Sequence, residues 1–191
     1  MSSLPKMHFT EEQYLEIERT AERRSEFYRR EMFAMAGASE AQILMVGNLY
    51  ALIRPQLQSR GCKAYVIDMR VRVSTTGSYF YPDLAIVCGP PEIVKGPPDT
   101  LLNPAVVVEV LSQSTELWDR GKKFDDYKTV SSLNQYLLIS SDQVHLDLFT
   151  RQPSGDWLMS SFDKVEQTVE LSAIGCHVPI AAIYEGIDLM A

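Results

Sequence analysis

Two carboxylates interrupt segments of the chain that otherwise have the pattern of buried strands. Asp83 lies inside the segment 79–88 (YFYPDLAIVC), and Glu109 lies inside the segment 104–111 (PAVVVEVL). An ionised carboxylate among apolar side chains is costly unless a cation pairs with it. Because Mg²⁺ and Mn²⁺ prefer oxygen ligands, one divalent ion would neutralise both acids.

Side chains alternate across a strand, so each acid points to one face of the sheet. If the two strands are neighbours, both carboxylates reach one point, where they repel and one becomes protonated unless a divalent ion lies between them. A plainer interpretation stays open for each acid. Asp83 could be hydrogen-bonded to a turn where its strand begins, and Glu109 could form a structural salt bridge with Lys123 or an arginine.

The helix that follows the second acid supplies further polar groups. Asp119, Lys123 and Tyr127 are spaced at i, i+4 and i+8, which places them on one helical face. Lys123 could orient or deprotonate a water, or stabilise negative charge on a phosphate. The alternatives are a solvated lysine paired with Asp119 and a tyrosine that belongs to the core. Ser112 and Ser114, in the turn before the helix, could contact a substrate oxygen.

Asp68 is a third acid, in the alternating segment 64–73. It could belong to the same site or pair with an arginine such as Arg70 or Arg72.

Helices and strands must bring these groups together. Capping-box spacing at Thr10–Gln13 and Ser39–Gln42 predicts that two helices begin there. The segment 25–36 is interpreted as a hairpin around Arg30. The first helix is expected to run through about 22, the second to end at Gly61, and a third to run from 116 to about 130. The predicted strands are 64–73, 79–88, 104–111, 136–139, 144–149, 157–162 and 168–171. This order predicts an α+β or mixed α/β protein with one central sheet.

Composition sets broader limits. The chain of 191 residues is most simply one domain spanning 1–191, and its net charge of −7 opposes nucleic-acid binding through bulk positive charge. No apolar run approaches the roughly 20 residues that span a bilayer, and the N-terminus lacks the apolar core of a signal peptide. We therefore expect a cytoplasmic protein without membrane association. Three widely spaced cysteines fit no zinc motif, so reduced thiols are expected.

The combination of these motifs, in this order, resembles the PD-(D/E)XK nucleases and in particular the Uma2 (DUF820) family, over roughly residues 8–185. The matching segments are Tyr81-Pro82-Asp83-Leu84, Val108-Glu109-Val110-Leu111-Ser112, Ser114-Thr115, Asp119-Arg120-Gly121, Lys123, Tyr127 and Tyr136-Leu137-Leu138, with Ala34 to Ser39, Cys62 and Asp68 upstream.

The resemblance implies a restriction-endonuclease-like core, a central mixed β-sheet flanked by helices. It implies that Asp83, Glu109 and the carbonyl of Val110 bind Mg²⁺ or Mn²⁺, and that water activated by the metal hydrolyses DNA phosphodiester bonds. Many nucleases of this fold act as dimers because cutting both strands needs two sites, so a symmetric homodimer is expected.

The chain departs from the nuclease motif in three places. Leu111 stands where the motif lysine is expected, and Lys123 is our replacement for it. Gln42 stands where similar sequences often carry His, and Arg30-Glu31 replaces a common Gly-Glu pair, with Glu31 a possible further carboxylate of the site.

Two other functions therefore stay open. One is a catalytically inactive nuclease-fold protein that binds nucleic acid or a protein partner. The other is a metal-dependent hydrolase that acts on a different phosphoester, or a metal-binding module.

Overall fold

The computed structural model describes residues 7–66 and 68–189. The helices are α1 (Glu11–Thr20), α2 (Glu40–Leu57), α3 (Glu116–Trp118), α4 (Phe124–Tyr127) and α5 (Ile180–Ile183), and a π-helical turn (Asp119–Lys123) joins α3 to α4. The strands are β1 (Ser25–Tyr28), β2 (Glu31–Ala34), β3 (Cys62–Val66), β4 (Arg70–Val73), β5 (Ser78–Phe80), β6 (Leu84–Cys88), β7 (Ile93–Val94), β8 (Thr100–Leu101), β9 (Val106–Leu111), β10 (Gln135–Ser140), β11 (Leu146–Arg151), β12 (Trp157–Phe162), β13 (Thr168–Leu171) and β14 (Cys176–Pro179).

A mixed six-stranded sheet carries the candidate site. Its strand order is β12-β11-β10-β9-β6-β3, with β9 and β10 parallel and the other pairs antiparallel. Core residues of α2 pack on one face, and core residues of α4 pack on the other. The predicted fold class, a central mixed sheet flanked by helices, is therefore confirmed.

A second six-stranded sheet, of order β2-β1-β5-β4-β8-β7, and the β13–β14 pair were not expected from the sequence. The second sheet includes β4 and β5 because two segments predicted as single strands are each broken. Segment 64–73 breaks near Asp68, which has a positive φ of 56°, and segment 79–88 breaks at Tyr81-Pro82-Asp83, where proline cannot donate a ladder hydrogen bond. Each segment therefore passes from one sheet to the other.

The predicted helix starts and the hairpin are confirmed. Thr10 and Ser39 form complete capping boxes, and β1 pairs with β2 across a turn in which Arg29 and Arg30 have positive φ. The third helix differs from its prediction, because it ends at Tyr127 rather than near residue 130 and contains the π-helical turn.

Strand β9 is buried on both faces, as a central strand between two helical layers must be. Val106, Val108 and Val110 pack into the core on the α2 side, and Val107 and Leu111 pack into the core on the α4 side. Glu109 lies between Val107 and Leu111 in the alternation, so it too faces the α4 side.

The expectation of three reduced thiols is wrong for two of them. Cys62 and Cys88 are directly opposite in the antiparallel β3–β6 register and form a disulfide, whereas Cys176 is free and buried. Spacing along the chain gives no information about cross-strand register, so this pairing could not be inferred from the sequence.

Candidate active site

A cleft of about 710 Å³ opens at the end of β9. Its walls come from β2 and the loop after it, the start of α2, and the helical segment that begins with α3. Five charged side chains line it, namely Glu26, Asp83, Glu109, Asp119 and Lys123.

Strand register brings the two predicted ligands together. Strands β6 and β9 are antiparallel neighbours with Leu84 opposite Val108, and the same register continued by one residue places Asp83 opposite Glu109. Asp83 Oδ2 also accepts a hydrogen bond from the backbone N–H of Val110 at 2.6 Å. Both acids therefore lie in one cleft, and Asp83 is fixed at the start of β6.

Lys123 lies at the centre of the acids. Its Nζ is 2.7 Å from Glu26 Oε1, 2.9 Å from Glu109 Oε1 and 3.2 Å from Asp119 Oδ1, and the residue is only 4% exposed. The motif position Leu111 is buried in the core instead. Lys123 therefore contacts Glu109 from the helical side of the cleft, whereas Leu111 does not line the cleft.

The π-helical turn contains both Asp119 and Lys123. Such turns are rare and occur frequently at functional sites. Tyr136 anchors the turn from the sheet, because its hydroxyl donates to the backbone carbonyl of Asp119 at 3.1 Å.

Tyr127 lies one turn further on and belongs to the core. Its ring packs 5.2 Å from that of Phe80 and 5.6 Å from that of Tyr136, centre to centre. Its buried hydroxyl has no hydrogen-bond partner among the described residues, and the residue is not part of the cleft wall.

Glu26 is a site residue that sequence reasoning missed. Its Oε2 accepts from the indole N–H of Trp118 at 3.0 Å, and its Oε1 accepts from the backbone N–H of Tyr81 at 3.2 Å. The available signal was an acid within the aromatic segment 25–28 (SEFY), because Asp83 and Glu109 likewise interrupt apolar segments.

The electrostatics separate the lysine from the acids. Burial raises the pKa of the carboxyls of Asp83, Glu109 and Asp119, and the repulsion among neighbouring acids adds to this. Burial alone would lower the pKa of Lys123, but the surrounding carboxylates hold that pKa well above its usual value. Lys123 therefore stays protonated, which suits charge stabilisation and not proton abstraction.

Three further candidates from the sequence have different surroundings. Ser112 lines the cleft, with its Oγ 3.0 Å from that of Ser114. Glu31, on β2, is not part of the cleft wall. Asp68 also lies outside the wall, and its exposed carboxylate is 4.0 Å from Nε of Arg24, rather than paired with either arginine of β4.

Gln42 connects the start of α2 to the end of β9. Its Nε2 donates to the carbonyl of Val110 at 2.9 Å, and its Oε1 accepts from the backbone N–H of Ser39 at 2.9 Å. Gln42 thus fixes the orientation of the Val110 carbonyl, the oxygen that the family resemblance implies as a further metal ligand.

The donor set suits a divalent ion bound by two carboxylates. Residues 7–66 and 68–189 contain no group of three or more His, Cys, Asp or Glu arranged to hold a metal. Mg²⁺, however, is usually bound through one or two carboxylates together with waters and substrate phosphates. Four acids around one ammonium leave an excess of negative charge in the cleft, and Asp83 and Glu109 provide the oxygen donors that such an ion requires.

The fold is shared with a solved structure described as "a putative nuclease belonging to DUF820" from Anabaena variabilis. That structure superposes with a TM-score of 0.75 at 15% identity and covers 92% of this chain and 97% of its own. The two proteins therefore share an α+β fold.

The chain belongs to the Uma2 family, whose model, described as "Putative restriction endonuclease", matches residues 11–181. Two proteins of Synechocystis sp. are similar in sequence. Uncharacterized protein slr1290 is 31% identical over 97% of this chain and 96% of its own length. Uncharacterized protein sll1609 is 30% identical over 85% of this chain and 92% of its own length. Membership supports a nuclease-type function. Within the described ranges, no helix has the length and apolarity needed to cross a membrane.

Proposed function

We propose that this protein is an endonuclease that depends on Mg²⁺ or Mn²⁺ and hydrolyses DNA phosphodiester bonds in the cleft at the end of β9. One observation carries the proposal. Asp83, Glu109 and Lys123, which come from two strands and a helix, line a single cleft, with Lys123 Nζ 2.9 Å from Glu109 Oε1.

Asp83 and Glu109 would hold the ion, with the carbonyl of Val110 as a further oxygen. A bound divalent ion lowers the pKa of water and neutralises charge on a phosphate. The hydrogen bond from Val110 N–H to Asp83, and that from Gln42 to the Val110 carbonyl, keep these oxygens in place.

Lys123 would stabilise the negative charge that develops on the phosphate during hydrolysis. Glu26, on the second sheet, and Asp119, in the π-helical turn, form ion pairs with its ammonium. Ser112, at the edge of the cleft, is placed to contact a substrate oxygen. Because Lys123 stays cationic, the proton released by the attacking water must pass to solvent or to a carboxylate.

The proposal includes a symmetric homodimer acting on DNA in the cytoplasm. Two copies of the cleft would serve the two strands of a duplex. The Cys62–Cys88 bond stands against the cytoplasmic part of the proposal, because disulfides are rare in reducing compartments.

Plasmid nicking tests the proposal. Wild-type protein should convert supercoiled plasmid to open circles with Mg²⁺ and not with EDTA, and Glu109→Gln should abolish the conversion. Glu170→Gln is the matched control, since that glutamate is exposed on β13. Equal conversion by wild type and Glu109→Gln would refute the assignment. Hydrolysis of bis(p-nitrophenyl) phosphate without plasmid nicking would indicate a small phosphodiester as substrate instead.

A catalytically inactive binding protein is the second candidate, and two observations favour it. Leu111 occupies the motif lysine position in the core, and Lys123 already pairs with the carboxylates of the site. This alternative predicts nucleic-acid or protein binding that persists in EDTA, with no cleavage of any substrate.

A further inference from the structure

A second cavity, of about 360 Å³, lies between α1, strands β4 and β5, and the loop from β7 to β8. It shares no lining residue with the candidate active site. Four cationic side chains and one acid line it, namely Arg19, Arg70, Arg72, Lys95 and Glu11. On a chain of net charge −7, this is a local concentration of positive charge.

Arg70 is the buried member of this group, at 6% exposure. Its Nε donates to Thr100 Oγ1 at 2.9 Å and its Nη2 donates to the carbonyl of Pro98 at 3.3 Å, whereas its Nη1 has no hydrogen-bond partner among the described residues. The guanidinium carbon lies 5.0 Å from the centre of the Tyr79 ring and 5.7 Å from that of Tyr14. All of these neighbours are neutral.

The other three cations differ, because each has a carboxylate close by. The pairs are Arg19 with Glu16 at 3.2 Å, Arg72 with Glu11 at 2.9 Å, and Lys95 with Asp99 at 2.6 Å. In the described part of the chain, no carboxylate lies within 4.0 Å of Arg70. Nε of Arg72 is also buried without a hydrogen-bond partner. A buried charge left without a counter-charge is strongly destabilising, which favours binding of an anion beside Arg70.

We propose that this cavity binds a phosphate group, with the guanidinium of Arg70 as its principal charge partner and Lys95 at its rim. Arginine forms paired hydrogen bonds to phosphate oxygens. Nη1 of Arg70 and Nε of Arg72 are two buried donors without a partner, and a phosphate presents several oxygens that can accept from them. The group could belong to inorganic phosphate, to a mononucleotide or to a nucleic-acid backbone, which present the same chemistry.

Calorimetric titration in metal-free buffer at constant ionic strength tests this proposal. The probes are sodium phosphate, adenosine 5′-monophosphate and a short single-stranded oligonucleotide. Wild type should bind at least one probe, and Arg70→Met should weaken that binding at least ~10-fold, a change of about 1.4 kcal/mol. Binding by the two small probes would identify a small-molecule site, and binding by the oligonucleotide alone would identify a backbone contact.

Matched lysine variants keep the test decisive if Arg70→Met fails to fold. Lys95→Gln should weaken binding severalfold, whereas Lys128→Gln should leave it unchanged. Lys128 also pairs with a nearby aspartate at 2.6 Å but does not line the cavity. No binding of any probe by folded wild type, or equal loss in the two lysine variants, would overturn the proposal.

The outcome is independent of the proposed nuclease activity. Glu109→Gln should bind the phosphate probes as wild type does, because Glu109 lies in the other cavity. Absence of nicking would therefore leave this proposal intact, and absence of phosphate binding would leave the nuclease proposal intact.

Discussion

At the scale of single residues, one buried ammonium organises the candidate site. Lys123 contacts three carboxylates that come from a strand of each sheet and from its own helix. Lys123 can do this because it lies one helical turn from Asp119 and lines the same cleft as Glu26 and Glu109. Leu111, at the motif position, lies in the core, and Lys123 is the cation that contacts Glu109.

Lys123→Met should reduce the rate of plasmid nicking by about 100- to 1000-fold, the usual cost of removing one group that stabilises transition-state charge. The variant also leaves buried acids unpaired, so its folding must be checked by circular dichroism. Lys122→Met is the control, since that lysine is exposed and stacks near Trp118. Equal rates for Lys123→Met and wild type would remove Lys123 from the mechanism.

The acids predict a pH dependence of stability in metal-free protein. Their carboxyl pKa values are raised on folding, so the folded state binds protons more tightly than the unfolded state. The free energy of unfolding should therefore increase as pH falls from about 8 to about 5, and decrease as pH rises through the raised values.

Urea unfolding in EDTA at several pH values measures this slope. Glu109→Gln should flatten it, because glutamine does not titrate, and Glu170→Gln should not. A wild-type stability that falls steadily on acidification across this range would contradict the assigned direction of the pKa shifts.

At the scale of elements, the broken strands and the π-helical turn place the site. Both segments that alternate in the sequence switch sheets, so β6 begins at the cleft with Asp83 just before it. The turn that carries Asp119 and Lys123 faces the end of the adjacent strand β9. The site therefore forms where three elements meet, each at or near one of its ends.

Tyr127→Phe tests whether the hydroxyl of Tyr127 takes part in catalysis or whether the residue serves only to pack the core. The tyrosine hydroxyl is buried without a described hydrogen-bond partner, so its removal should leave the free energy of unfolding unchanged or raise it by up to about 1 kcal/mol. Nicking should also be unchanged. A large loss of nicking with preserved stability would instead place the hydroxyl in the chemistry.

Sequence reasoning predicted those features that depend on local pattern. Alternation assigned Glu109 to its face, and capping boxes located the starts of two helices. It missed features set by partners distant in sequence. Glu26 reaches the cluster only through pairing of the second sheet, the π-helical turn has no sequence periodicity of its own, and the Cys62–Cys88 bond depends on register. The unpaired charge of Arg70 is likewise visible only once its surroundings are known.

At the scale of the whole molecule, charge is separated between two cavities. The cleft at the end of β9 is lined by four acids and one lysine, and the cavity beside α1 by four cations and one acid. Under the two proposals above, the first cavity would hold a divalent ion and the second a phosphate group.

The expected homodimer also belongs to this scale. Strand β12 is an edge of the sheet that contains β9, and its Leu158 and Met159 are 56% and 54% exposed. Light scattering of the wild type should give a mass twice that of the 21.6 kDa chain. The Met159→Asp variant should give the mass of a single chain. Ile17→Asp, at an exposed apolar residue on α1, is the control. A monomer at high concentration for wild type would refute the dimer.

Calorimetric titration of Mg²⁺ into wild type and the double variant Asp83→Asn/Glu109→Gln tests the central claim most directly. The account predicts saturable binding to wild type, abolished in a double variant that stays folded and retained in Glu170→Gln. Indistinguishable isotherms for wild type and the double variant would contradict it, because the two acids would then be structural partners of Lys123 and not ligands of a metal.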